Sequence, residues 1–494
     1  MKNFLFFLTL LGYVIPMSAE SFVSNGLSFE INESDGSVSL TNADESLVGV
    51  VNIPGTVTFN STEFSVKKID TFAFSKCKQV TDIIIPSTVT SISQGAFLNC
   101  SALSYVEISN GSTPINIYSD TFGSPFEGTS LQTLFVGRNV ADGSNAPWNN
   151  LNFNKLILGS GITTIKHQSF LYAQFKEIEL MYSETPLHIG YSRMNNVGEF
   201  EKCQTLLKAY VDRILQFTVR NEKGKSLFEY VPNLEYLELG SHLTYVQESL
   251  ACSCRKLSTV VLPPSITHIY DNAFAFSYIE NINLPNGLEY IGASAFTSTH
   301  IESLDIPSTV TSMGNSPFWQ SEIKSVRVPG SLVNMPYGTF SNCSQLTDVQ
   351  LMDGIVNMND FTFNCCYKLK HVSFPSTINY IGAQTFNICN SLERIQSFAV
   401  EPPTLVENTF TTEQYLNLIV EVPKNSVAKY KEAPYWKFFQ NIIEYNEAGI
   451  DDIVNTESLN IVAIYDMNGN VVTHPSRGVF VVKYENGICK KVIY

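Results

Sequence analysis

The chain returns on itself. From Leu369 to Leu392 it reads LKHVSFPSTINYIGAQTFNICNSL: a Leu-x-x-Val-x-Phe-Pro segment, an Ile-x-x-Ile pair, then Phe-x-x-Cys-x-x-Leu, which arrives 23 residues later at the Leu of the next cycle. A unit this short cannot bury its own apolar face, so it must stack on its neighbours and share a continuous core with them. The period therefore predicts a solenoid.

The six-residue signature Φ-x-x-Φ-x-Φ places fourteen cycle starts, at Val80, Leu103, Leu131, Phe153, Phe175, Leu206, Leu234, Leu257, Ile279, Ile301, Ile323, Leu346, Leu369 and Leu392. From Leu234 onward the spacing is 22 or 23 throughout, and the one-residue difference sits in the turn beside the Cys. Pro follows the signature at Pro86, Pro263, Pro285, Pro307, Pro329 and Pro375. Lacking an N–H and fixed in φ, it ends the strand and begins a corner. Within a strand Val372 and Phe374 should face in, and His371 and Ser373 out. Phe74, Phe97, Phe170, Phe274, Phe296, Phe318, Phe340, Phe363 and Phe386 recur in phase and predict an internal ladder.

Between Val106 and Leu234 the spacing loosens to 28, 22, 22, 31 and 28. Residues 200–218 read either as an inserted amphipathic helix or as part of a duplicated longer module. The second reading aligns LQTLFVGRNV (131–140) with LLKAYVDRIL (206–215), so that Arg138 and Arg213 fall in step, and TPINI (113–117) with TPLHI (185–189).

The flanks differ from the repeats. Residues 1–19 combine Lys2, an apolar run from Phe4 to Ile15 and Ala19, which predicts a secretory signal peptide too short to span a membrane. Residues 20–68 alternate with period 2 and predict a β cap, residues 69–400 the solenoid, and 401–445 an aromatic C-terminal cap. Residues 446–458 are linker-like, and 459–494 carry two strand-like pieces with Asn-Gly turns.

The cycle I-G-A-Q-T-F-N-I-C-N-S-L-E-R-I and the terminal P-P-T…V-P-K-N-S-V…Y…W-K-F-F segment closely resemble the BspA-like (Treponema-type) leucine-rich repeats of bacterial surface proteins. That resemblance covers residues 22–445. It implies a leucine-rich-repeat solenoid, mostly β, with short helical or 3-10 turns on the opposite side, and a secreted or surface-attached, adhesin-like protein. The tail IYDMNGNVV…RGVFVVKYENGICKKV resembles the last part of the type A C-terminal sorting domain of Bacteroidota type IX secretion cargo. It implies attachment at the outer-membrane surface.

Several function classes are disfavoured. Thirty-one Lys and Arg against forty-six Asp and Glu give a net charge of −15, contrary to what nucleic acid or an anionic membrane would require. No phosphate loop or dinucleotide fingerprint is present, and the chain calls for no cofactor. Seven of the ten cysteines, Cys77, Cys100, Cys203, Cys254, Cys343, Cys366 and Cys389, stand three residues before a strand start. Phase-locking of this kind reads as a repeated buried thiol. Disulfides between stacked neighbours, or involving Cys252 and Cys365, remain the alternative, and zinc spacing is lacking.

The candidate ligand-binding residues lie in the irregular half. Tyr105, Phe135, Tyr210 and Tyr236 occupy outward strand positions, where aromatics serve as interface anchors unless the extended loops fold over them. Glu107, Glu177, Glu179 and Glu238 share that face. Paired carboxylates suit glycoside chemistry or a cation, but a flat strand face offers no cleft to tune them. The expectation is a non-enzymatic protein that binds an extracellular protein or glycan. A self-associating envelope protein is the second reading, and a carbohydrate-active enzyme a remote third.

Overall fold

The computed structural model describes residues 20–445 except 119–123, 142–147, 149, 167–168, 171, 191–199, 201 and 218–225, together with the backbone of three strands between 461 and 493. The signal-peptide and linker segments of the sequence reading lie outside the described residues. Each cycle contributes three sides to a coil: a longer strand, a two-residue strand, and a turn.

The Φ-x-x-Φ-x-Φ signature forms the long strands, and these stack in parallel. Nine of them make one sheet, running from Val48–Asn52 and Gln79–Ile85 to Thr259–Val261. The coil at 279–285 touches this ladder through the single bridge Thr259–Asn281. Beyond it the side continues as sheets of three and four parallel strands, the latter ending at Asn441–Glu444. Alternation holds as expected, with Val372 and Phe374 buried and His371 exposed.

Each Pro after a long strand turns the chain by accepting a hydrogen bond from the N–H three residues on, as in Ile266 N–H to Pro263 O (3.2 Å) and Leu288 N–H to Pro285 O (2.9 Å). The Ile-x-x-Ile pair then ends in a short strand, such as His268–Ile269, Tyr290–Ile291 and Ser312–Met313, and these pair in parallel into a second ladder.

The third side is a turn that repeats an unusual backbone. Residues two before and two after the ladder Phe take positive φ: Asn272 and Phe276 around Phe274, Ser294 and Ser298 around Phe296, Gln384 and Ile388 around Phe386. A left-handed non-glycine residue costs about 1–2 kcal/mol. Here the conformation aims alternate amides at the next coil, where Asn272, Phe274 and Phe276 donate to the carbonyls of Ala293, Ala295 and Thr297 at 2.8–2.9 Å. One backbone hydrogen bond contributes a net ~1 kcal/mol, so the ladder offsets its own strain. Among the described residues these turns do not lengthen into helices.

Inside the coil the phenylalanines stack face to face, Phe296, Phe318, Phe340 and Phe363 at centroid separations of 5.5–5.7 Å. The ladder also takes in Phe126, Trp148, Phe200, Phe228 and Phe410, and it breaks where Ala251 holds the Phe position. The phase-locked cysteines sit beside it and are buried, and all the described cysteines are unpaired. Each thiol has a defined partner. Cys100, Cys254, Cys343, Cys366 and Cys389 donate to the carbonyl of the Phe one coil earlier, at 2.9–3.2 Å. Ser321 does the same with its hydroxyl to Phe296 O, at 2.9 Å.

The loosened stretch resolves as strand rather than helix, with Lys208–Val211 on the long ladder and Leu215–Phe217 on the short one. Arg138 and Arg213 have the same job in the two copies. Both are fully buried and reach carbonyls two coils back, Arg138 those of Pro86 and Ser87, Arg213 those of Gly159 and Ser160 as well as Thr185. Each extended loop is thereby pinned from within.

At the start, Thr62–Ile69 pairs with the first strand of the short ladder, while Val48–Asn52 opens the long one. At the far end Thr412–Asn417 begins with a capping box between Thr411 and Gln414. Gln414 also donates to Phe386 O at 2.9 Å, standing where the next thiol would. Trp436 and Tyr430 bury themselves over the last coil, donating to Pro403 O and Ala399 O, each at 2.7 Å. The tail strands Ile461–Tyr465, Val479–Tyr484 and Cys489–Ile493 form an antiparallel sheet.

Candidate ligand-binding face

The nine-stranded ladder brings all eight candidate residues onto one outward face. Strand register arranges them in two parallel rows. One row runs Tyr105, Thr133, Lys155, Glu177, Lys208, Tyr236, each residue opposite the next. The adjacent row runs Glu107, Phe135, Ile157, Glu179, Tyr210, Glu238 in the same order. With parallel strands about 4.8 Å apart, Tyr105 and Tyr236 stand roughly 24 Å from one another.

The carboxylates on this face are already engaged. The Tyr105 hydroxyl donates to Glu107 Oε2 at 3.1 Å, and Ser109 donates to its other oxygen at 3.0 Å. At the opposite end Tyr236 donates to Glu238 at 2.6 Å. Between them Lys155 pairs with Glu179 at 2.6 Å, and Lys208 approaches Glu177 at 3.9 Å. Burial first, and then Glu107, push the Tyr105 phenol up to about 12. The hydrogen bond to Glu238 is the main cause of the upward shift at Tyr236. Tyr210 is raised by burial, followed by Asp212, Glu238 and Glu179. The phenols therefore remain donors across the physiological range, and in each Tyr-x-Glu pair the hydroxyl is tied to the carboxylate two residues on.

Phe135 is half-buried, and its ring leans over Gly159, where an added Cβ would come within 2.7 Å of the ring tip. The absent side chain at 159 makes room for the ring. Sequence alternation identified the outward side but overlooked Lys155, Lys208 and Ile157, which occupy the same rows. Lys-x-Ile in 155–157 carries the same outward spacing as Tyr-x-Glu and was available as a signal. The salt bridges, by contrast, depend on register between strands 22 to 31 residues apart.

Chemically, such a face can bind by contact. It presents rings at intervals along a ribbon of paired charges, with no lone carboxylate poised as acid or base. In the regular half the outward row turns polar, with ion pairs such as Arg327–Asp305 at 3.3 Å.

A family model described as a BspA type leucine rich repeat region matches residues 55–174, 121–208, 221–346 and 318–416. The chain belongs to the BspA-type leucine-rich repeat family. Solved structures similar to this BspA-type chain include a leucine-rich repeat protein from Bacteroides ovatus, 23% identical over 76% of this chain and 94% of that one, with a TM-score of 0.37. A leucine rich cell surface protein from Faecalibacterium prausnitzii is 19% identical over 77% and 95%, with a TM-score of 0.24. The pneumococcal vaccine antigen PcpA is 15% identical over 87% and 99%, with a TM-score of 0.25. No curated protein matches the sequence. Among the described residues no helix is long and apolar enough to cross a membrane.

Proposed function

We propose that this is a non-enzymatic, secreted or cell-surface repeat protein that holds an extracellular protein or glycan against the outward face of its nine-stranded ladder. The observation that carries the reading is the pair of Tyr-x-Glu clamps, Tyr105–Glu107 and Tyr236–Glu238, which frame Phe135 and Tyr210 on one continuous surface. Rings with restrained rotamers lose little entropy on binding, which is the usual property of interface anchors. Residues 1–19 act in this reading as an export signal, and 459–494, whose three strands pair antiparallel, as a sorting tail that brings the protein to the outer surface.

The test applies the full chain, and its Tyr105→Ala/Tyr236→Ala double variant, to protein and glycan arrays. Binding by the parent that the variant loses supports the face. Binding that survives both substitutions removes it. Concentration-dependent mass without added ligand would favour self-association instead.

A further inference from the structure

We propose a second binding site, on the short ladder, for the guanidinium or alkylammonium side chain of a partner protein. Its core is a set of aromatic rings that the scaffold does not require. Outward positions of this ladder are mostly small and polar, as at Ser91, Asn116, Thr164, Asn334, Asn357 and Thr404, with His188 and Tyr380 as isolated rings. In three successive coils they are instead Tyr245, His268 and Tyr290, directly opposite one another in register. Tyr270 joins them. Its ring lies 5.5 Å from Tyr245, 5.9 Å from His268 and 6.2 Å from Tyr290.

Beyond Tyr270 the next two coils carry Gly292 and Gly314, so the wall drops away. A cleft of about 600 Å³ opens there, lined by His268, Tyr270 and Tyr290 and by the carboxylates Glu248, Asp271 and Glu289. No Lys or Arg lines it. Asp271 accepts the Ala293 N–H at 2.7 Å. Glu248 and Glu289 have no side-chain hydrogen bond or ion pair among the described residues, in contrast to the engaged carboxylates of the long ladder. Burial and then Asp271 raise the Tyr290 phenol.

Uncompensated negative charge beside π faces is the arrangement that attracts an organic cation. A guanidinium fits it best, because its plane stacks on a ring while its edge forks to a carboxylate. A neutral sugar could stack on the same rings, but it would leave the negative charge unanswered.

Titration calorimetry with hexa-arginine, hexa-lysine and hexa-glutamate peptides tests the site on the full chain. Hexa-arginine should bind more tightly than hexa-lysine, and hexa-glutamate should not bind. Tyr270→Ala/Tyr290→Ala and Glu248→Gln/Glu289→Gln should each weaken binding by about tenfold or more. Glu407→Gln/Glu432→Gln, which removes the same charge elsewhere, should leave it within about twofold. The proposal falls if no basic peptide binds, if the remote charge variant weakens binding as much as the cleft variant, or if the aromatic variant binds as the parent does. It also falls if neutral oligosaccharides bind at these rings in place of the peptide. Tyr105→Ala/Tyr236→Ala leaves this cleft untouched, so the two sites fail independently.

Discussion

The buried thiols should make the solenoid sensitive to alkali. Cys254, Cys343 and Cys389 are each raised by burial from 9.0 to about 12. Below pH 9 both the folded and the unfolded chain keep these protons, and the thiols' contribution is intact. Between 9 and 12 the unfolded chain ionises while the folded one does not, so stability falls as pH rises. At pH 10 a thiol shifted in this way loses about 1.4 kcal/mol, and the three together about 4 kcal/mol, a large part of a typical domain's stability. The perturbation that isolates them is Cys254→Ser/Cys343→Ser/Cys389→Ser. A hydroxyl at this position keeps the bond to the Phe carbonyl, as Ser321 does, and it does not titrate in this range. Urea unfolding followed by circular dichroism at pH 7, 8, 9 and 10 should show parent and variant close together at neutral pH and diverging above 9. A variant whose stability falls with pH as steeply as the parent's would refute the reasoning. So would rapid labelling of Cys254, Cys343 or Cys389 in the native chain by a disulfide reagent at pH 8.

Other substitutions read out the remaining devices of the coil. Phe340→Ala, which removes a ring stacked on both sides, should cost about 3–5 kcal/mol in the same urea experiment. Ile388 is a β-branched residue at φ 57°, so Ile388→Asn, matching Asn342 in the equivalent place, should stabilise by up to about 1 kcal/mol. Trp436→Ala should cost about 3–5 kcal/mol and raise hydrogen exchange first in residues 392–445, because it uncovers the last coil. Gly159→Ala would bring a Cβ within 2.6 Å of Asn110 Oδ1 and 2.9 Å of the Gly137 Cα as well as 2.7 Å of the Phe135 ring, so backbone must shift along with the ring, and the same urea experiment should show a loss of about 1–3 kcal/mol.

The coil and its core were legible because they depend on strong, regular signals: an apolar alternation, a Pro at the corner, and a Phe in phase. Phe126, Trp148, Phe200 and Phe228 escaped because loops of altered length move them out of phase while the stack keeps them in line. The short ladder was invisible for a different reason. A two-residue strand such as Tyr290–Ile291 has no period of its own, so nothing marks Tyr245, His268 and Tyr290 as neighbours until the coils are superimposed. The turn side was hidden by its residues. Its left-handed positions hold Ser, Asn, Gln, Phe and Ile more often than Gly, so the usual glycine signal is missing. Of the candidate face, alternation revealed the side that carries the eight residues, whereas the Tyr-x-Glu hydrogen bonds and the Lys155–Glu179 pair emerge from the structure alone.

The alternating turn backbone also gives the array a direction. On the turn side each coil's alternate amides point to the coil that follows, and the carbonyls that receive them point to the one before, as where Phe274 donates to Ala295 and Phe296 to Pro317. Like a column of magnets laid head to tail, such a stack has two unlike ends. The opening end needs donors, and Ala43 N–H supplies one to Ala73 O at 2.8 Å. The closing end calls for acceptors. Whole coils can thus be duplicated or deleted without disturbing the grammar at the joints, whereas a coil inserted in reverse, or an opening cap grafted onto the closing end, would meet like with like.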